Sequence, residues 1–358
     1  MKCIRQQTVT LILLSLFCSI TLQPTLAFTK TTSQSRPTPQ KTTQPTGEDA
    51  DSDEPSAQEQ SFRYVYPIFT NSLVKHPERP RSTVWPALVS FILPGFDQWW
   101  ENQWAAAGFY TGLAVAGLNI NQSALNEMPN NLNDANNPTG RNDFARTALL
   151  GSQMFMAAGS YSAFTSFRSA VKSRQAQGDF DFLTVDENTG DLLKAPFEMS
   201  LLAKPTTYLP LLVAVGFAVG EVAGNGNAFS NNSFRLTDAG FAAGFSYLAG
   251  TNEEALFRGY MMPQLMQWWD SPFWSNFTTS VVFAAAHISS DNPVPWPQFA
   301  LGGYLGYITQ QNHWSLKQSV FVHAWWDVIV FTGSYLYNSR NDVKQATWLY
   351  LPVVSLTY

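Results

Sequence analysis

Residues 249–260 read Ala-Gly-Thr-Asn-Glu-Glu-Ala-Leu-Phe-Arg-Gly-Tyr, and they decide the fold because they place three charges inside an apolar segment. The surrounding residues 238–267 predict one long helix whose Gly and Ala faces allow close helix approach in lipid. A charge at membrane depth costs about 2.5–3.5 kcal/mol, so such charges persist mainly where they line an internal cavity. The stretch therefore predicts a polar site among packed helices; the alternative is a solvated helix end with a surface ion pair.

The helical spacing separates these three charges. Glu254 and Arg258 are i,i+4 neighbours with the acid on the N-terminal side, which predicts a bidentate ion pair. Glu253 projects about 100° away from Glu254 and has no obvious local partner. A carboxylate in that position is a candidate general base.

Two histidine motifs follow downstream. Phe283-Ala-Ala-Ala-His287 ends an apolar stretch, and His323-Ala-Trp-Trp-Asp327 lies inside another, where Asp327 at i,i+4 is expected to orient the imidazole. A lone histidine on an apolar helix is more often a packing residue than a catalyst. Here two of only four histidines lie in apolar runs after the double Glu. The candidate site is therefore Glu253, Glu254, Arg258, His287, His323 and Asp327.

The flanking composition predicts a membrane protein. Charged residues make up 13% of the chain, against about 25% in an average soluble domain. The 12 Trp also suit a membrane–water interface. We expect an all-α fold, a polytopic transmembrane helix bundle of about eight helical segments. These segments are residues 85–93, 105–118, 149–167, 208–223, 238–267, 273–288, 299–309 and 319–337.

Two features interrupt the first segments. Pro94-Gly95 predicts a helical hairpin or a broken helix, and the Asn-rich residues 119–142 predict a solvated loop. The basic residues Arg168, Lys172 and Arg174 suggest a cytoplasmic end for the segment before them. The net charge of -5 argues against nucleic-acid binding.

The N-terminus predicts export. Lys2 and Arg5 precede an apolar run and then Thr25-Leu26-Ala27, the pattern of a secretory signal peptide cut after residue 27. Both cysteines, Cys3 and Cys18, would leave with it. We expect a multi-pass protein of a bacterial cytoplasmic membrane with these parts: signal peptide 1–27, disordered polar and acidic tail 28–62, N-terminal membrane helices and loops 63–234, protease-like core 235–340, and C-terminal tail 341–358.

The three motifs, EEALFR, FAAAH and HAWWD in this order, resemble the signature of the CAAX-protease and bacteriocin-processing (CPBP, or Abi) family of intramembrane glutamate-dependent proteases. The resemblance covers roughly the last hundred residues of the helical region. It implies that Glu253 activates the attacking water and that His287 helps to hold it. It further implies that Glu254 and Arg258 shape the site, and that His323 with Asp327 stabilises the oxyanion.

The resemblance leaves two points open. Many relatives have Asn where this chain has Asp327, and an ionised Asp cannot donate to an oxyanion, so Asp327 would instead orient His323 or stay protonated. We expect no cofactor, with zinc held by Glu253, His287 and His323 as the alternative. No His-Glu-x-x-His pair supports zinc.

The predicted function is hydrolysis of a peptide or protein substrate in the lipid bilayer. The alternative is a non-catalytic scaffold or immunity protein of the same fold. A transporter that uses the carboxylates as a proton relay ranks last, because the sequence contains no evident internal repeat.

Overall fold

The computed structural model describes residues 81–127, 138–223, 236–288 and 293–338. Within these ranges the regular secondary structure is helical throughout, which confirms the predicted all-α class. The N-terminal helices are α1 (Trp85–Ile92), α2 (Phe96–Trp100), α3 (Trp104–Glu127), α4 (Pro138–Gln175), α5 (Thr189–Lys194) and α6 (Pro205–Ala223). The helices of the C-terminal part are α7 (Leu236–Leu256), α8 (Met262–Trp269), α9 (Pro272–Ala286), α10 (Trp296–Gln311) and α11 (Lys317–Asn338).

Several predictions fall outside the described residues. They concern the signal peptide 1–27, the tail 28–62 and the C-terminal tail 341–358. The proposed boundaries at 63, 235 and 340 stay predictions as well. In the part of the chain that is described, no helix combines the length and the apolar character needed to cross a membrane. The multi-span arrangement therefore stays a prediction.

The predicted break after α1 is present at Pro94-Gly95. Gly95 has a φ of +95°, and a Cβ there would lie 2.6 Å from Thr111 Oγ1 and 2.8 Å from Ala107 O. Only glycine can adopt this left-handed conformation in so tight a contact, because it has no Cβ. The chain therefore reverses here, and Gln98 of α2 reaches back to donate to Ser166 Oγ of α4 at 2.9 Å.

The predicted loop over residues 119–142 was wrong at both ends. Helix α3 continues to Glu127 and α4 begins at Pro138. Asn121 explains the difference, because its side chain is buried and donates to Ala148 O at 2.7 Å and to Ser152 Oγ at 3.0 Å. Its amide thus stabilises a helix–helix contact instead of binding solvent.

Helix α7 lies at the centre of the bundle, where it packs against α4 and α11. The contact with α11 is close because Gly250 has no side chain: a Cβ there would lie 2.6 Å from Ala324 N. Helix α9 packs along α10, and a short π-helical turn, Phe257–Met261, joins α7 to α8. This packing brings the charges of α7 next to the imidazole of α11.

Candidate active site

The local structure around Arg258 depends on Pro263, which lies five residues later in the chain. Pro263 is at the start of α8 and cannot donate a backbone hydrogen bond to the turn before it. The helix widens there into the π-helical turn that contains Arg258. Such single π turns occur frequently at functional sites, because they rotate the side chains on either side relative to each other.

The buried half of the site centres on one oxygen of Glu254. Its Oε1 accepts hydrogen bonds from Arg258 Nη1 at 2.9 Å and from His323 Nδ1 at 2.9 Å. We assign the proton to Nδ1 because the carboxylate can only accept. Arg258 Nη2 donates to Gly302 O of α10 at 2.8 Å. One carboxylate thus holds a guanidinium and an imidazole in place.

The open half centres on Glu253. Its Oε2 lies 3.7 Å from His287 Nε2 and 3.8 Å from His323 Nε2. The same oxygen is buried and has no hydrogen-bond partner. His287 Nδ1 lies 2.7 Å from Phe283 O, so this nitrogen carries the proton and Nε2 is directed to Glu253. Asp327 Oδ2 lies 3.6 Å from His323 Nε2.

The exposure of these side chains shows from which side the site opens. The exposed fractions of the six side chains are Glu254 0%, Arg258 0%, His323 3%, Glu253 18%, Asp327 20% and His287 32%. A ligand therefore reaches His287, Asp327 and Glu253 first, while the ion pair behind them is sealed. The structure brings together all six residues that the sequence singled out.

One predicted contact was wrong and another was incomplete. Arg258 does not form a bidentate pair with Glu254, because its second nitrogen donates to Gly302 O. Asp327 pairs with His323 as predicted, at 3.6 Å, but the imidazole donates its hydrogen bond to Glu254, at 2.9 Å. Both differences have the same cause: α10 and α7 supply partners that the spacing within one helix does not reveal.

Two contributors were not assigned a role from the sequence. The ring of Phe283 lies 4.5 Å from the Arg258 guanidinium and packs against both imidazoles. Its position four residues before His287, on the same helical face, is the signal that could have identified it. The other contributor is the carbonyl of Gly302, and no local sequence feature indicates it.

The zinc alternative concerns Glu253, His287 and His323. Across the described ranges, no three His, Cys, Asp or Glu side chains are placed to hold a metal ion. The arrangement instead combines a carboxylate oxygen with two imidazole Nε2 atoms at 3.7–3.8 Å, separations that one water molecule spans by hydrogen bonds. These groups are suited to acid–base chemistry on a polar substrate.

Comparison with known proteins gives a match to a protein family. A family model described as "Type II CAAX prenyl endopeptidase Rce1-like" matches residues 236–329, a range that contains all three motifs. The match confirms the resemblance that the motifs predicted. No curated protein and no solved structure matches the chain.

Proposed function

We propose that this chain, a member of the type II CAAX prenyl endopeptidase Rce1-like family through residues 236–329, is an intramembrane endopeptidase in which Glu253 activates water. The observation that carries the proposal is the buried Oε2 of Glu253, which has no hydrogen-bond partner and lies between two imidazoles. An unsatisfied buried carboxylate oxygen is costly, and such groups are concentrated where chemistry requires them.

The first step is the attack of water. The water would lie between Glu253 Oε2 and His287 Nε2 and give one proton to Glu253 as its oxygen bonds to the scissile carbonyl carbon. Phe283 O holds His287 through Nδ1, so the Nε2 side of the ring faces the reaction. A positioned base of this kind contributes about 10²–10⁴ to the rate.

The second step is the stabilisation and collapse of the tetrahedral intermediate. With Nδ1 held by Glu254, His323 has Nε2 left to donate to the oxyanion when that nitrogen is protonated. Glu253 then transfers its proton to the departing amide nitrogen, and the C–N bond breaks to give an amine and a carboxylic acid, which keeps the second proton of the water until it ionises. Arg258 balances the charge of Glu254 and keeps that carboxylate beside His323.

The proposed mechanism needs no metal. If the alternative held, Glu253, His287 and His323 would bind the zinc ion, which would supply a Lewis acid for the same hydrolysis. Metal analysis of the purified, active protein separates the two. Stoichiometric zinc whose removal abolishes cleavage would overturn the metal-free mechanism but not the reaction class.

We propose that the protein lies in the lipid bilayer of a bacterial cytoplasmic membrane. Support comes from α6, where large apolar side chains are exposed along the length of the helix. They are Tyr208, Leu209, Leu212, Val213, Val215, Phe217 and Val219. Exposed apolar patches of this extent mark interaction surfaces. The chain should stay with the membrane pellet after an alkaline carbonate wash, and its release into the wash would contradict the proposal.

The decisive experiment compares Glu253→Gln with the wild-type chain. The probe is an internally quenched, farnesylated peptide that ends in a CAAX sequence, with the unprenylated peptide alongside. Gln keeps the size of the side chain and removes the base, so cleavage should fall by about 10²-fold or more while the melting temperature holds. Glu198→Gln is the matched control. Glu198 lies outside the six-residue site and pairs with Lys317, with 3.0 Å between the charged atoms.

The outcomes separate the two candidate functions. Cleavage by the wild type that survives in Glu253→Gln would remove Glu253 from the mechanism. A wild-type chain that folds but cleaves neither peptide would favour the non-catalytic scaffold.

A further inference from the structure

The ring of Phe283 is in contact with three of the six site residues. Its centroid lies 4.5 Å from the guanidinium carbon of Arg258, 4.6 Å from the His287 ring and 5.7 Å from the His323 ring. The side chain is almost completely buried.

Two carboxylates attract the Arg258 guanidinium. Glu254 binds its Nη1, and the charge of Glu253, the residue before Glu254, also acts on it. A guanidinium that moved to Glu253 would neutralise the proposed base. The negative face of an aromatic ring attracts a cation, and more strongly where water is excluded. Phe283 thereby favours the position of Arg258 beside Glu254.

The same ring also limits the motion of both imidazoles. It packs edge-to-face with His323 at an interplanar angle of 75° and is tilted by 47° against His287. Phe257 packs edge-to-face against Phe283 at 5.2 Å and itself lies 5.9 Å from the Arg258 guanidinium carbon. Rings held in this way have few alternative rotamers, which keeps the two Nε2 atoms near Glu253.

We propose that Phe283 is a positioning residue, whose ring face holds Arg258 on the Glu254 side of the site and fixes both imidazoles around Glu253. The proposal rests on the endopeptidase function proposed above and adds the residue that keeps the cation away from the base. The effect belongs to turnover, because Phe283 is buried behind the groups that face the substrate.

Stepwise fluorination of the Phe283 ring tests this role. Each fluorine withdraws electron density from the ring face and weakens its attraction for a cation, with little change in shape. Mono-, di- and trifluorophenylalanine incorporated at position 283 should lower kcat progressively, by about 10-fold over the series, with KM nearly constant. Phe283→Leu should also lower kcat, although the side chain stays apolar, because it removes the ring face.

Phe167 is the matched control. It is a buried phenylalanine that packs against Phe180 at 5.6 Å and Tyr260 at 5.3 Å. The same fluorinated residues at position 167 should leave kcat unchanged. A flat kcat series at position 283, or equal losses at both positions, would overturn the positioning role while the wild-type cleavage still supports the endopeptidase. Absence of cleavage by the wild type would overturn both proposals.

Discussion

At the scale of single residues, Glu254 determines the stability of the buried half of the site. Its Oε1 is shared by Arg258 Nη1 and His323 Nδ1, each at 2.9 Å. Both ions of the Glu254–Arg258 pair are fully buried. Removing one partner of such a pair leaves an uncompensated charge, which costs about 3–5 kcal/mol.

We expect Glu254→Gln to lower the free energy of unfolding strongly, by about 3 kcal/mol or more. Thermal or denaturant unfolding in detergent micelles measures the change. Asp186→Asn is the control, because Asp186 pairs with Lys172 at 2.8 Å on the exposed surface and its loss should have little effect. Equal stabilities for the two variants would show that the buried pair is not essential for the fold.

At the scale of elements, the contact between α7 and α11 sets the geometry of the site. Gly250 lies against Ala324, the residue that follows His323, and a Cβ at Gly250 would come within 2.6–2.8 Å of three Ala324 atoms. Two of these are backbone atoms, so the helices would have to separate. The imidazole of His323 would move with α11.

We therefore expect Gly250→Ala to destabilise the protein by about 1–3 kcal/mol through overpacking. It should also reduce cleavage by about 10²-fold, because a displacement of about 1 Å in a catalytic group has that effect. Gly244→Ala in the same helix is the control, since a Cβ there meets nothing within 4 Å and Ala favours the helix. Cleavage and melting temperature measure both effects, and an active, stable Gly250→Ala would show that the close approach is dispensable.

At the scale of the whole molecule, Glu187 links the segment after α4 to the start of α11. Its carboxylate accepts hydrogen bonds from Leu316 N at 2.8 Å and from the Ser315 hydroxyl. Burial raises the pKa of Glu187 above its ordinary value, although these hydrogen bonds and the nearby Arg168 act in the opposite direction. The folded state therefore binds this proton more tightly than the unfolded chain does.

The sign of the pH dependence follows from that shift. The stability contributed by protonated Glu187 is fully present below the unfolded pKa and is lost as the pH rises through the raised folded pKa. The melting temperature of the wild type, compared with that of Glu187→Gln, should fall as the pH increases from about 4 to about 8. A Glu187→Gln profile parallel to the wild type would contradict the assignment.

The sequence by itself predicted the helical class and the six side chains that the structure brings together. The 3.6-residue period of the helix places Glu254 and Arg258 on one face and Glu253 on another. This arrangement follows from local backbone geometry. The break at Gly95 also follows from one local conformation. The helical ends of the Asn-rich stretch could not be predicted, because Asn121 is stabilised by partners 27 and 31 residues away.

Only the tertiary structure decided which atoms interact. His323 binds Glu254 across 69 residues, and Arg258 binds the carbonyl of Gly302 across 44. The ring of Phe283 reaches three site residues only because α9 packs beside α7 and α11. Spacing along one helix is fixed by its backbone hydrogen bonds, whereas contacts between helices depend on how the side chains of all of them fill the space between.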